Sequence, residues 1–165
     1  MRSLASFIMY MVDHPGLEAV LRKILEEEFA SGAVDLAALR DLVSSPRLMS
    51  YGVRAFNHSK LVMAGDTFLD AHTMLADGVQ KTYAISFDEW EMIKGEVEYV
   101  DRCDFRDDSV MQIQVWSTDP LILDEFAMII AVALSYKKSE LLAESRISSA
   151  LHELTSPWGY YTDGF

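Results

Sequence analysis

The sequence predicts an α+β fold, with short helices at the N-terminus, a small and mostly antiparallel sheet in the middle and two helices at the C-terminus. Three observations carry this. Apolar residues recur at helical spacing in 17–29 and again in 120–154, runs that alternate between apolar and polar fall in the middle of the chain, and the eight glycines mostly punctuate elements. The expected boundaries are helical 1–58, mixed 59–117, helical 118–156 and an aromatic segment 157–165, all within a single domain spanning 1–165.

Each element has its own signal. Leu4 to Val12 is an apolar run behind Arg2, too short to span a bilayer and followed by no small-residue cleavage site, so it reads as a buried first element. Leu17, Val20, Leu21, Ile24, Leu25 and Phe29 share one helical face, with Asp13 as cap, Pro15 in the first turn and Ser31-Gly32 as the stop. A second helix fits Asp35 to Val43. Ser45 as cap and Pro46 at the first helical position predict a third, running to about Phe56.

Lys60 to Ala64 reads as a strand, Asp66 to Leu75 as a helix, Thr82 to Phe87 as a strand and Asp88 to Lys94 as one or two helical turns. Val97, Tyr99 and Cys103 mark one face of a further strand. Asp107-Asp108 turns the chain, and Val110 to Trp116 returns, which predicts a hairpin. Pro120 then opens a helix reaching Lys138, apolar on all sides between Phe126 and Leu134 and so expected at the centre of the fold. The last helix covers Glu140 to Leu154, with Leu141, Ile147, Leu151 and Leu154 inward. Trp158, Tyr160, Tyr161 and Phe165 follow, to fold back on the chain or to dock on a partner.

Charge narrows the function. The 165 residues hold 26 acids and 14 bases, a net charge of −12, and residues 86–125 alone hold twelve acids against three bases. Such a balance repels phosphate and attracts basic proteins. These acids are interleaved with Phe87, Trp90, Val97, Tyr99, Val100 and Phe105, so the segment is folded and not an acidic tail. The plainer reading of the same charge is a solvated rim that keeps an apolar-rich chain in solution. The single cysteine allows no internal disulfide and fits a reducing cytoplasm.

No motif with a catalytic mechanism is present: no glycine-rich phosphate loop, no Gly-x-Ser-x-Gly and no patterned zinc ligands. Ser135 and Lys138 match Ser-x-x-Lys, but without the rest of that set and inside an apolar helix. Cys103 lies between Asp101 and Asp104, whose charges disfavour a thiolate. The leading expectation is therefore a non-enzymatic, bacterial-type module without cofactor. It would neutralise or escort a basic protein partner as immunity proteins and antitoxins do, an analogy of composition alone. The expected contacts are Glu89, Trp90, Glu91, Asp101, Asp104, Asp107 and Asp108, and the apolar final helices are suited to a homodimer.

Two alternatives stand beside it. One is a winged-helix-like DNA-binding regulator whose third helix places Arg47, Ser50, Tyr51, Arg54 and Lys60 near the duplex. The other is a small metal-dependent hydrolase centred on Asp66, Asp70 and His72 with His58.

Overall fold

The computed structural model describes residues 34–35, 45–73, 80–100, 108–123, 125–155 and 160–161. Their elements, in chain order, are β1 (Val34–Asp35), β2 (Arg47–Arg54), β3 (Val62–Met63), α1 (Gly65–His72), β4 (Lys81–Ser86), α2 (Phe87–Ile93), β5 (Val110–Trp116), a 3-10 turn (Pro120–Ile122), α3 (Glu125–Ser135), α4 (Lys138–Ala143), α5 (Ser145–Thr155) and β6 (Tyr160–Tyr161). The architecture is α+β. The chain divides into two compact units, one of Pro46–Ile122 and one of Met1–Ser45 with Leu123–Phe165.

The Pro46–Ile122 unit is built on a four-stranded sheet of order β2-β5-β4-β3. β5 is flanked on both sides, antiparallel to β2 from Arg47↔Trp116 to Arg54↔Val110 and parallel to β4 from Lys81↔Met111 to Ser86↔Trp116. A parallel pair needs a crossover connection, and α2 lies within it. The register sets Tyr51 opposite Ile113 and Val53 opposite Met111 on one face, with Tyr83 beside Ile113 and Ile85 beside Val115. On that face Val53, Ile85, Trp90, Met111, Ile113 and Val115 form the core, and Tyr51, Phe56, Leu61, Tyr83, Ile93 and Val97 pack around it.

The other face carries Thr82, Gln112 and Gln114 near the start of α1. The Thr82 N–H donates to the Thr67 hydroxyl (2.8 Å), and the Ala64 N–H donates to the Thr82 carbonyl (3.1 Å). Gly65 opens α1 at φ +52°, where a Cβ would come within 3.1 Å of Thr82 Cγ2, so only glycine fits without strain. Trp116 is buried and its indole Nε1–H donates to Gln114 Oε1 (3.0 Å), giving both polar groups a partner away from water.

Two expectations are corrected in this unit. Residues 47–54, expected as a helix started by Ser45 and Pro46, are a strand. Tyr51 and Val53 alternate with Gly52 and Arg54, which suits a pleat, and pairing along β5 outweighs the local helix-start cue. Pro46 lacks an N–H but its carbonyl accepts from the Ser117 N–H (2.8 Å), so it opens a strand as readily as a helix. The second correction is the hairpin between 97–103 and 110–116. β2 lies between residues 98–100 and β5, since the Arg54 N–H donates to the Glu98 carbonyl (2.8 Å) and the Val100 N–H to the Gly52 carbonyl (2.9 Å), along the edge of β2 away from β5.

In the other unit, β1 and β6 pair in parallel, Val34 with Tyr160 and Asp35 with Tyr161. Part of the aromatic C-terminal segment thus folds back on the chain, and Asp35, where the second helix was expected to begin, is a strand residue. The expected helices over 17–29 and 36–43 lie outside the described residues. Residues 128–136 of α3 and the bend after it are all buried, as the all-round apolar sequence requires. The final helical stretch is broken at Glu144, whose backbone is extended (φ −129°, ψ 91°), into α4 and α5. Leu141, Ile147, Ala150 and Leu151 are its buried residues. Among the described residues no helix is long and apolar enough to cross a membrane.

Candidate functional site

The most informative surface of the Pro46–Ile122 unit is built by α2 and the turn that follows it. β4 passes directly into α2 at Ser86, whose hydroxyl caps the helix by accepting from the Glu89 N–H (3.3 Å). Asp88 and Glu89 lie in the first turn, where their charge suits the helix dipole. At the far end Lys94 Nζ bonds both oxygens of Glu91 (2.9 and 2.7 Å). This hydrogen bond raises the Lys94 ammonium above its usual value.

Successive helical residues point about 100° apart. Trp90 and, in part, Ile93 and Glu89 therefore turn inward, while Phe87, Asp88, Glu91 and Met92 turn to solvent. The outward face combines two carboxylates with two large apolar side chains, Phe87 at 41% and Met92 at 68% exposure. Tyr99, also largely exposed, extends it, its hydroxyl donating to the Lys94 carbonyl (3.2 Å) and its ring edge meeting Tyr51 and Trp90. Tyr51 in turn stacks on Trp90 with centroids 5.0 Å apart. These ring contacts fix the turn of Lys94 to Tyr99 against the sheet.

Beside this turn lies a cavity of about 350 Å³ lined by Arg54, the loop of Ala55 to His58, Ile93, Glu96, Val97 and Glu98. A second cavity of similar size, about 350 Å³, lies against the same loop and is lined further by Leu61, Lys81, Tyr83, Asp108, Val110 and Met111. The loop is held in part by His58, whose Nδ1 accepts from the Lys60 N–H (3.2 Å).

The expected partner contacts that are described differ in exposure. Glu91 and Asp108 are exposed and Glu89 is partly buried. Trp90, expected as an aromatic anchor for a partner, is 1% exposed and belongs to the core, so it presents no surface to anything. Asp101, Asp104 and Asp107 lie outside the described residues, as does Cys103. Phe87, Met92 and Glu96 were not among the expected contacts. The helical phase of 87–93, with Trp90 and Ile93 inward, is the signal that finds the first two.

The residues of the two alternatives are also placed. Arg47, Ser50, Tyr51 and Arg54 stand on a strand, so no recognition helix presents them. Arg54 donates to the Ser109 hydroxyl (3.0 Å) and lies 3.6 Å from Glu98. His72 stacks on Phe68 (centroids 4.2 Å) with its Nδ1 2.8 Å from the Phe68 carbonyl. Among the described residues no three His, Cys, Asp or Glu side chains are grouped to hold a metal. Ser135 is buried and its hydroxyl donates back to the Val132 carbonyl (2.7 Å), as an ordinary helix serine does.

Comparison with known proteins brings no further assignment: no family model matches the chain, and no curated protein or solved structure is significantly similar to it.

Proposed function

We propose that this chain is a non-enzymatic protein-binding module that docks a basic protein partner on the outward face of α2 and the turn after it, and so neutralises or escorts that partner. The observation that supports it is the pairing of Phe87 and Met92 with Asp88 and Glu91 on one solvent-facing helix surface. Acids that served solubility alone would not need large apolar side chains exposed between them. Exposed Phe and Met give an interface its contact area, and the carboxylates around them steer a basic partner and reject acidic ones. The reading carries with it a cytoplasmic setting of the immunity-protein or antitoxin kind.

The test has two steps. Native capture from the source cell at low and at high salt selects basic proteins released by salt. Association with the purified partner is then timed for the wild type and for a Asp88→Asn, Glu91→Gln variant. The expected result is an association rate several-fold slower at low salt, with a flatter salt dependence and little change in the dissociation rate. Association that is independent of salt in both proteins overturns the proposal.

A further inference from the structure

His58 and His72 meet the backbone with opposite polarity. His72 Nδ1 lies 2.8 Å from the Phe68 carbonyl, and a carbonyl only accepts, so that nitrogen carries a proton. His58 Nδ1 lies 3.2 Å from the Lys60 backbone nitrogen, and a backbone N–H only donates, so the His58 nitrogen is a bare lone pair. The neutral His58 ring therefore holds its proton on Nε2. Its next proton, taken from solvent, lands on Nδ1, where it ends the contact and sets two N–H groups against each other. His72 takes its next proton on Nε2 and keeps its contact.

The His58 contact carries weight because few bonds hold its loop. At the entry the Ala55 N–H donates to the Ser109 carbonyl (2.7 Å), and at the exit the Leu61 N–H donates to the His58 carbonyl (3.2 Å). Between them Phe56 is seated by packing on the core and Asn57 is exposed. Neither makes a hydrogen bond among the described residues. The His58 side chain bonds the N–H two positions on, as an Asn or Asp side chain does at the start of a turn. Unlike those side chains, an imidazole changes charge between about pH 5 and 8 and loses its acceptor when it does.

The surroundings favour a move once the ring is charged. Two cavities, each of about 350 Å³, have this loop as a wall, so there is space beside it. One is lined by Lys81, Tyr83 and Asp108, the other by Arg54, Glu96 and Glu98. The carboxylates among these attract an imidazolium and the cations repel it, so a protonated ring has acceptors to turn to in place of the backbone.

We propose that His58 is a pH-sensitive latch on residues 55–60. Neutral, it pins the loop through the Lys60 N–H; protonated, it releases the loop and changes the shape of both cavities. The device stands apart from the docking face of α2 and needs no partner to operate.

The test follows the full-length, isotope-labelled protein by NMR from about pH 8 to about pH 5, as wild type and as the His58→Asn and His58→Ala variants. Asparagine keeps an acceptor for the Lys60 N–H and does not titrate, whereas alanine removes the acceptor at every pH. In the wild type the Lys60 amide is expected to lose the small temperature coefficient of a bonded proton as the His58 ring is protonated. The amides of Phe56 and Asn57 shift in step, and the open loop gains several-fold in population, the weight of one hydrogen bond. At these amides the alanine variant at high pH should match the acid form of the wild type, and the asparagine variant at low pH should match the neutral form. The His72 contact to Phe68 should persist throughout. His58 lies outside the core, so both variants are expected to fold, and their own spectra check this. Loop amides that stay in place while the His58 ring titrates overturn the proposal. An acid-induced change that persists in the asparagine variant also overturns it, because its origin is then another group.

Discussion

Helices α2 and α3 bury their residues in opposite ways. From Met128 to Leu134 every position of α3 is at most 5% exposed, whichever way it points. In α2, Trp90 is 1% exposed and Met92, two positions later, is 68% exposed. An all-apolar helix announces its burial from composition alone, because no side of it is fit for water. A mixed helix announces only that it has two sides, and the sheet beneath decides which residue takes which. Glu89, Trp90 and Glu91 look like one acidic-aromatic motif in sequence, but at about 100° per residue they cannot face one partner.

The largest expected effects follow from this contrast. Met128→Ala and Ile130→Ala point roughly 160° apart on α3, yet each should cost about 2–5 kcal/mol in denaturant unfolding. On α2, Trp90→Ala should cost about 3–5 kcal/mol and Met92→Ala less than about 0.5 kcal/mol. If Met92→Ala proves as costly as Trp90→Ala, α2 is covered on both sides and the docking face is lost.

The glycines sharpen the comparison on a smaller scale. At Gly65 the positive φ and the approach to Thr82 together oppose any side chain, so Gly65→Ala should cost about 1–2 kcal/mol. At Gly95, in the turn after α2, a Cβ would meet nothing within 4 Å. Gly95→Ala should therefore be neutral or stabilise by up to about 1 kcal/mol through the unfolded chain. Thermal unfolding of the pair tests whether the start of α1 is tightly seated while the turn after α2 stands open.

The parts of the fold that were legible are those where local preference and tertiary environment agree. β4 and β5 read as strands because Thr82 to Phe87 alternates and because Val110, Ile113 and Val115 are β-branched. α3 reads as buried because nothing in it is polar between Phe126 and Leu134. The stretch after Ser45-Pro46 did not read correctly, because a two-residue start signal conflicts with an eight-residue strand whose stabilising partner, β5, lies some sixty positions away. The pocket was illegible for the same reason. Residues 54–58 and 93–98 carry no shared motif, and only the chain's passage along the outer edge of β2 brings them together. The exposed face of α2 was half legible: its acids were counted as charge, but its phase depended on knowing that Trp90 goes into the core.

The smallest effect on stability tests the proposed face most directly. Lys94 is exposed and its ammonium is raised from its usual 10.5 by the hydrogen bond to Glu91. A raised basic group contributes stability that is complete below the unfolded value and is lost as pH rises through the folded one, so any contribution disappears only in strong alkali. Lys94→Gln should accordingly leave unfolding at neutral pH unchanged, as exposed i,i+3 pairs usually do. It should nevertheless release Glu91 and make the α2 face one charge more acidic. Association with a basic partner would then quicken at low salt, and the gain would vanish at high salt. Stability and association both unmoved would mean that these carboxylates are a solvated rim, and that steering, if any, arises elsewhere on the chain.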